Sequence, residues 1–195
     1  MNPIKLKWSS PTSWKDTHQG LNKESKKIRG IYLLLFKLDG KFIPYYIGQA
    51  GNIHPRIAEH IASMLCGKYT IYRNDILKKF AHDSVQKKEG KDYDGILYHP
   101  DWPWSLTKFL KNQKDEEIMQ HVNFMIKSLY FSCAEVKDDM PKLQQIEGAC
   151  ILEIGKEHLG NMRASHPDFE IEHGGDDSEI KEIFRKYAAL RKSKS

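Results

Sequence analysis

Long apolar runs are missing from this 195-residue chain. The longest, Ile31 to Phe36, is six residues and stops at Lys37, where a bilayer-spanning helix needs roughly 20, so no membrane-embedded function is expected. Cysteine is scarce. Cys66, Cys133 and Cys150 are widely spaced and no Cys-x-x-Cys occurs, which excludes a disulfide-stapled scaffold and a cysteine zinc module; His54 and His60 have no Cys or His partner pair at zinc spacing either. The opening Met-Asn-Pro-Ile-Lys-Leu-Lys-Trp has no apolar secretory core, so a reducing compartment, the cytoplasm, is the expected location. Internal repeats and low-complexity tracts are also lacking. With 39% hydrophobic and 29% charged residues, wholesale disorder is excluded and one sizeable core is within reach.

The net charge of +5 is concentrated at one end. Residues 1–30 carry seven basic side chains (Lys5, Lys7, Lys15, Lys23, Lys26, Lys27, Arg29) against Asp16 and Glu24, and the rest of the chain is balanced. Residues 1–29 therefore read as a basic N-terminal arm, suited either to phosphate backbones or to a solvated leader. Trp8 and Trp14 favour an ordered arm, because disordered tails are poor in aromatics.

The chain is organised around residues 30–60. Two β-branched and aromatic runs, from about Gly30 to Leu38 and from Lys41 to Gly48, flank Asp39-Gly40, a strong hairpin signal. Asn52 then opens an amphipathic helix reaching about Leu65, with Ile53, Ile57, Ile61 and Leu65 on one face; Pro55 falls in its first turn, where it is tolerated. The hairpin carries Tyr32, Tyr45 and Tyr46, and the helix carries Arg56 and His60, four residues apart and therefore on one face. Uninterrupted two-residue pairing would oppose Tyr32 to Ile47 and Tyr46 to Leu33, placing Tyr32 and Tyr46 on opposite faces. If they serve one site, an odd offset is required, either a three-residue loop or a bulge near Pro44.

Residues 66–120 read as a long insertion, with a short helix over about Ile71 to Phe80 and another starting near Ser105. Residues 123–136 read as a third strand, rich in β-formers such as Ile126, Tyr130 and Val136. Pro141 opens a long helix running to about Leu159 and stopped by Gly160. Residues 166–195 form an acidic loop, Glu170 to Asp177, and a last helix with Ile180, Ile183, Phe184 and Tyr187 at helical spacing. That stripe is a core contact or, as the lesser alternative, a homodimer seam.

In the long helix, Leu143, Ile146, Cys150, Ile151 and Ile154 mark a buried stripe, and Glu147 falls within it while Glu153 points elsewhere. A carboxylate so placed is costly unless paired or coordinating a cation, so a salt bridge to Arg56 and a metal ligand are equally open. Taken singly, Arg56 reads as an ion-pair arginine, His60 as a part-buried helix histidine, and Tyr32, Tyr45 and Tyr46 as packing.

Gly30-Ile31-Tyr32, Tyr46-Ile47-Gly48, Arg56 and His60 together resemble the opening of the GIY-YIG nuclease domain, a family of metal-dependent DNA endonucleases. The resemblance implies an α+β domain over residues 30–165, with a small, mainly antiparallel three-stranded sheet flanked by helices, elaborated by the insertion and the C-terminal helix. It also implies DNA as partner and one divalent cation, Mg²⁺ or Mn²⁺, held by Glu147. Catalytic roles would fall to Tyr32, Tyr46, Arg56, His60, Glu147 and Asn161, with Tyr32 or His60 activating the attacking water. The tripeptide spacing and the insertion are longer than the family's pattern, which leaves specificity open. Trp102, Trp104 and residues 108–114 face either DNA or the core. A restriction-type enzyme is the leading expectation; a repair or structure-specific nuclease, or a non-cleaving DNA-binding module of the same fold, are the alternatives.

Overall fold

The computed structural model describes residues 3–17, 27–75, 77, 96–98, 111, 115–137, 142–155, 159, 169–175 and 178–192. Its elements in chain order are β1 (Ile4–Lys7), β2 (Thr12–Ser13), α1 (Trp14–Thr17), β3 (Gly30–Leu38), β4 (Lys41–Ala50), α2 (Ile53–Leu65), β5 (Ile71–Tyr72), β6 (Ile96–Tyr98), α3 (Asp115–Ser128), β7 (Leu129–Glu135), α4 (Leu143–Ile154), β8 (Ile171–Gly174) and α5 (Ser178–Lys192). The chain is α+β. An antiparallel sheet ordered β2-β7-β3-β4 is accompanied by a parallel β1-β8 pair and an antiparallel β5-β6 pair.

β3 lies inside the sheet and is buried along its length except at Lys37. Its alternate residues feed two cores. Ile31, Leu33 and Leu35, with Ile47 of β4, pack against Leu6, Trp8, the α4 residues Ile146, Cys150, Ile151 and Ile154, and Ile180 and Phe184 of α5. On the opposite face, Tyr32, Leu34, Phe36 and Leu38 pack against Ile53, Ile57, Ile61 and Met64 of α2 and Met125 of α3. The apolar spacing on α2 and α5 is thus spent on core contact; Ile180, Ile183, Phe184 and Tyr187 are all buried.

The hairpin turns on Asp39 and Gly40, both at positive φ (48° and 76°), the geometry whose twist matches paired strands. Pairing runs Leu38↔Lys41 through Leu35↔Pro44, then resumes at Leu34↔Tyr46 and Tyr32↔Gly48. Tyr45 is the extra residue of a bulge. It supplies the required odd offset, beside the proline that cannot donate to the ladder, and brings Tyr32 and Tyr46 to one face.

Several sequence expectations are corrected. The main sheet has four strands rather than three, because Thr12–Ser13 pairs with Phe131 and Tyr130 of β7. Residues 3–17 are built into the fold rather than extending from it. The third strand begins at Leu129; residues 123–128 are helical, since Val122, Met125, Ile126 and Leu129 follow the helical period, which outweighs β-propensity. Ile71–Tyr72 is a strand paired with β6, not the start of a helix. The long helix starts at Leu143 and ends at Ile154, where Gly155 at φ 96° closes it before Leu159. Within the expected acidic loop, Ile171–Gly174 forms a strand on β1, taking up backbone groups that β1 would otherwise leave unpaired. The helix expected near Ser105, Trp102, Trp104, Pro141, Gly160 and Asn161 lie outside the described residues. Among the described residues, no helix is long and apolar enough to cross a membrane.

Candidate active site at the β4 edge

β4 is the edge strand of the sheet, and α2 and α4 both pack against it from different cores. Side chains from both layers can therefore meet at this edge. The sequence around it makes close approach possible. A Cβ on Gly48 would lie 2.2 Å from the Tyr32 hydroxyl, so only glycine lets the Tyr32 ring cross β4 at this point. The hydroxyl is then 2.7 Å from Nε2 of His60.

The Tyr46 ring stacks beside Tyr32, with centroids 6.3 Å apart, and lies 5.1 Å from the imidazole of His60. Tyr45 faces Phe36 at 4.8 Å and packs, as its neighbourhood in the sequence suggests. On α2, His60 is buried while the Arg56 side chain remains 45% exposed and pairs with Glu59, Nη1 to Oε2, at 2.6 Å. The Arg56 guanidinium also reaches the Tyr32 hydroxyl, toward which it can only donate.

Burial and charge set the protonation states. Desolvation, reinforced by the Tyr46 hydroxyl, raises the Tyr32 pKa far above the ordinary phenol value, so Tyr32 is protonated at neutral pH. Burial and then the Arg56 charge lower His60 to about 4, which makes it a neutral imidazole. Tyr46 is raised by burial and next by the Glu147 carboxylate. Glu147 itself is raised by burial, against the opposing pull of Arg56. Its carboxylate thus interacts electrostatically with both Tyr46 and Arg56, although it arises from the other layer.

Five of the six expected residues (Tyr32, Tyr46, Arg56, His60 and Glu147) come together here; Asn161 lies outside the described residues. Glu147 sits at the half-buried margin of its helix stripe. Arg56 is neither buried nor committed to it, because its ion pair is with Glu59. A half-buried carboxylate that its surroundings discourage from ionising is a fitting seat for a cation, whose charge would offset the desolvation. Among the described residues no group of three or more His, Cys, Asp or Glu could hold a metal. The fit is therefore to a hard cation anchored by one carboxylate and otherwise ligated by water and phosphate, as Mg²⁺ prefers.

Sequence reasoning missed Tyr69. Helix α2 ends in a motif in which Lys68 N–H donates to the Ser63 carbonyl at 2.8 Å and Gly67 N–H to that of Met64 at 3.2 Å, with Gly67 left-handed at φ 68°. The chain turns back, and the Tyr69 hydroxyl meets Nδ1 of His60. The Cys66-Gly67 stop signal was the available clue, but nothing in the spacing shows how far the returning chain reaches.

Comparison with protein-family models, curated proteins and solved structures gives no match. The geometry has to carry the functional reading.

Proposed function

We propose that this protein is a divalent-metal-dependent endonuclease of the GIY-YIG type that hydrolyses DNA phosphodiesters. The observation that carries the reading is the meeting, around Tyr46 on one edge strand, of Glu147 from one layer with Arg56 and His60 from the other. A sheet needs no such convergence for its stability. It joins a carboxylate suited to a cation, an exposed fixed cation and hydroxyl donors, the groups that phosphoryl chemistry requires.

When bound at Glu147, the divalent ion supplies charge neutralisation at the scissile phosphate and the leaving oxygen. Arg56, whose pKa is raised first by Glu59, stays protonated and stabilises the added negative charge of the transition state relative to the ground state. Tyr46, half exposed and protonated, donates to a phosphate oxygen or orients the attacking water. Tyr32 and His60 are 1% and 3% exposed, so in this conformation they support the site from beneath. Neutral His60 accepts the Tyr32 proton, which makes it, rather than Tyr32, the resting base of the pair.

Plasmid nicking with and without EDTA tests the reading, alongside Glu147→Gln. Wild type is expected to nick only with Mg²⁺ or Mn²⁺, and the variant is expected to lose orders of magnitude in rate while keeping its fold and DNA affinity. Cleavage indifferent to EDTA, or a fully active variant, would overturn the proposal. DNA binding without cleavage would favour the non-cleaving module. A restriction-type role is expected to give one recurrent cleavage sequence when products are mapped to base resolution.

A further inference from the structure

We infer that Tyr69 is a positioning residue of this site: it fixes the tautomer of His60 and, through it, the direction of a hydrogen-bond chain that ends on Arg56. The inference rests on the nuclease reading for its catalytic consequence, but not for the chain itself.

The chain is set by counting donors. The Tyr32 hydroxyl has one proton and is buried. Its polar neighbours are Nε2 of His60 at 2.7 Å and the Arg56 guanidinium, and the guanidinium has no acceptor to offer. The Tyr32 proton therefore finds a partner only if Nε2 of His60 is unprotonated. A neutral imidazole carries its proton on one nitrogen, so it must reside on Nδ1, where the Tyr69 hydroxyl receives it. Arg56 donates to Tyr32, Tyr32 to His60, and His60 to Tyr69, every bond running one way.

Without the Tyr69 hydroxyl, Nδ1–H would be a buried donor with no acceptor, and the favourable response is a shift of the proton to Nε2. His60 would then donate to Tyr32, leaving the Tyr32 proton without an acceptor and pushing it into the space Arg56 uses. The guanidinium would lose its fixed position while its charge persists. Such a defect belongs to the transition state, so it lowers kcat more than it raises KM.

The experiment is Tyr69→Phe, read in two ways. Long-range ¹H–¹⁵N NMR of the imidazole reports the His60 tautomer whether or not the protein cleaves anything. Wild type is expected to carry the proton on Nδ1, and the variant to move it to Nε2. Mg²⁺-dependent nicking is expected to show kcat reduced by about 10- to 100-fold, the scale of a small misplacement, with KM nearly unchanged. A wild-type proton on Nε2, or the same tautomer in both proteins, would overturn the inference even if nicking fell. A tautomer shift with unchanged kcat would overturn the positioning role. If the wild type nicks no DNA, the nuclease reading fails and the NMR result still decides the chain. Should Tyr69→Phe not fold, the wild-type tautomer decides alone.

Discussion

Two glycines show how single atoms shape this sheet, and their substitutions should fail differently. At Gly30 an added Cβ would lie 2.0 Å from the Ala134 carbonyl oxygen, a backbone atom of the neighbouring strand. At Gly48 the obstacle is the Tyr32 hydroxyl, the far end of a side chain. Backbone in a paired strand cannot yield without opening the ladder, whereas a ring can tilt. Gly30→Ala is therefore expected to cost at least about 3 kcal/mol, the upper part of the usual overpacking range. Gly48→Ala should cost less but displace Tyr32 from His60. Urea unfolding measures the first, and the imidazole ¹⁵N shifts of His60 the second. Equal losses of stability with an unchanged His60 environment would contradict this assignment.

The N-terminal segment gives the clearest lesson about elements. β1 lies parallel to β8, Leu6 and Trp8 are buried, and the Trp8 indole donates to Nδ1 of His173 at 2.9 Å while Nε2 of that ring meets Glu153 at 2.8 Å. Trp8→Ala is expected to cost about 3–5 kcal/mol by analogy with other buried tryptophans, measured by chemical denaturation. Deleting the segment would thus mix lost DNA contacts with lost folding. Replacing exposed Lys5 and Lys7 by glutamine tests phosphate contact alone, through the salt dependence of affinity. These pairings were not legible in the sequence because β1 and β8 stand at opposite ends of the chain, and strand pairing leaves no local periodic trace. What was legible was local: the Asp39-Gly40 hairpin, the α2 stripe and the final helix each declare themselves within one window. The bulge at Tyr45 followed from face parity once Tyr32 and Tyr46 were required together. Residues 123–128 misled because a short apolar run fits strand and helix alike. In the site, Tyr32, Tyr46, Arg56, His60 and Glu147 were found through a resemblance, and Glu147 also through its conflict with a buried stripe. Tyr69 acts across a turn, where spacing carries no information.

At the scale of the whole molecule, the two layers meet at the β4 edge with titrations of opposite sign. The folded pKa of His60, about 4, lies below its ordinary 6.5. Its neutral form therefore contributes stability that is complete above about pH 6.5 and lost as pH falls toward 4, about 3 kcal/mol by linkage. His60→Gln should flatten the stability profile over that window, as urea unfolding from pH 4 to 7.5 would reveal. Glu147 behaves oppositely: its folded pKa is raised by burial, so ionising it as pH rises costs the folded state some stability. At neutral pH the carboxylate is a strained charge that a cation can relieve. Mg²⁺ is then expected to raise the Tm of the wild type at pH 7.5, to do so less at pH 5, and to leave Glu147→Gln unmoved; without Mg²⁺ that variant should be as stable as the wild type or more so. If Glu147 were instead the structural partner of a buried arginine, its loss would leave an uncompensated charge and cost about 3–5 kcal/mol. The 45% exposure of the Arg56 side chain and its pairing with Glu59 argue for the first outcome. A Glu147→Gln protein that melts well below wild type in EDTA, or one whose Tm responds to Mg²⁺ as the wild type does, would remove the carboxylate from the cation site.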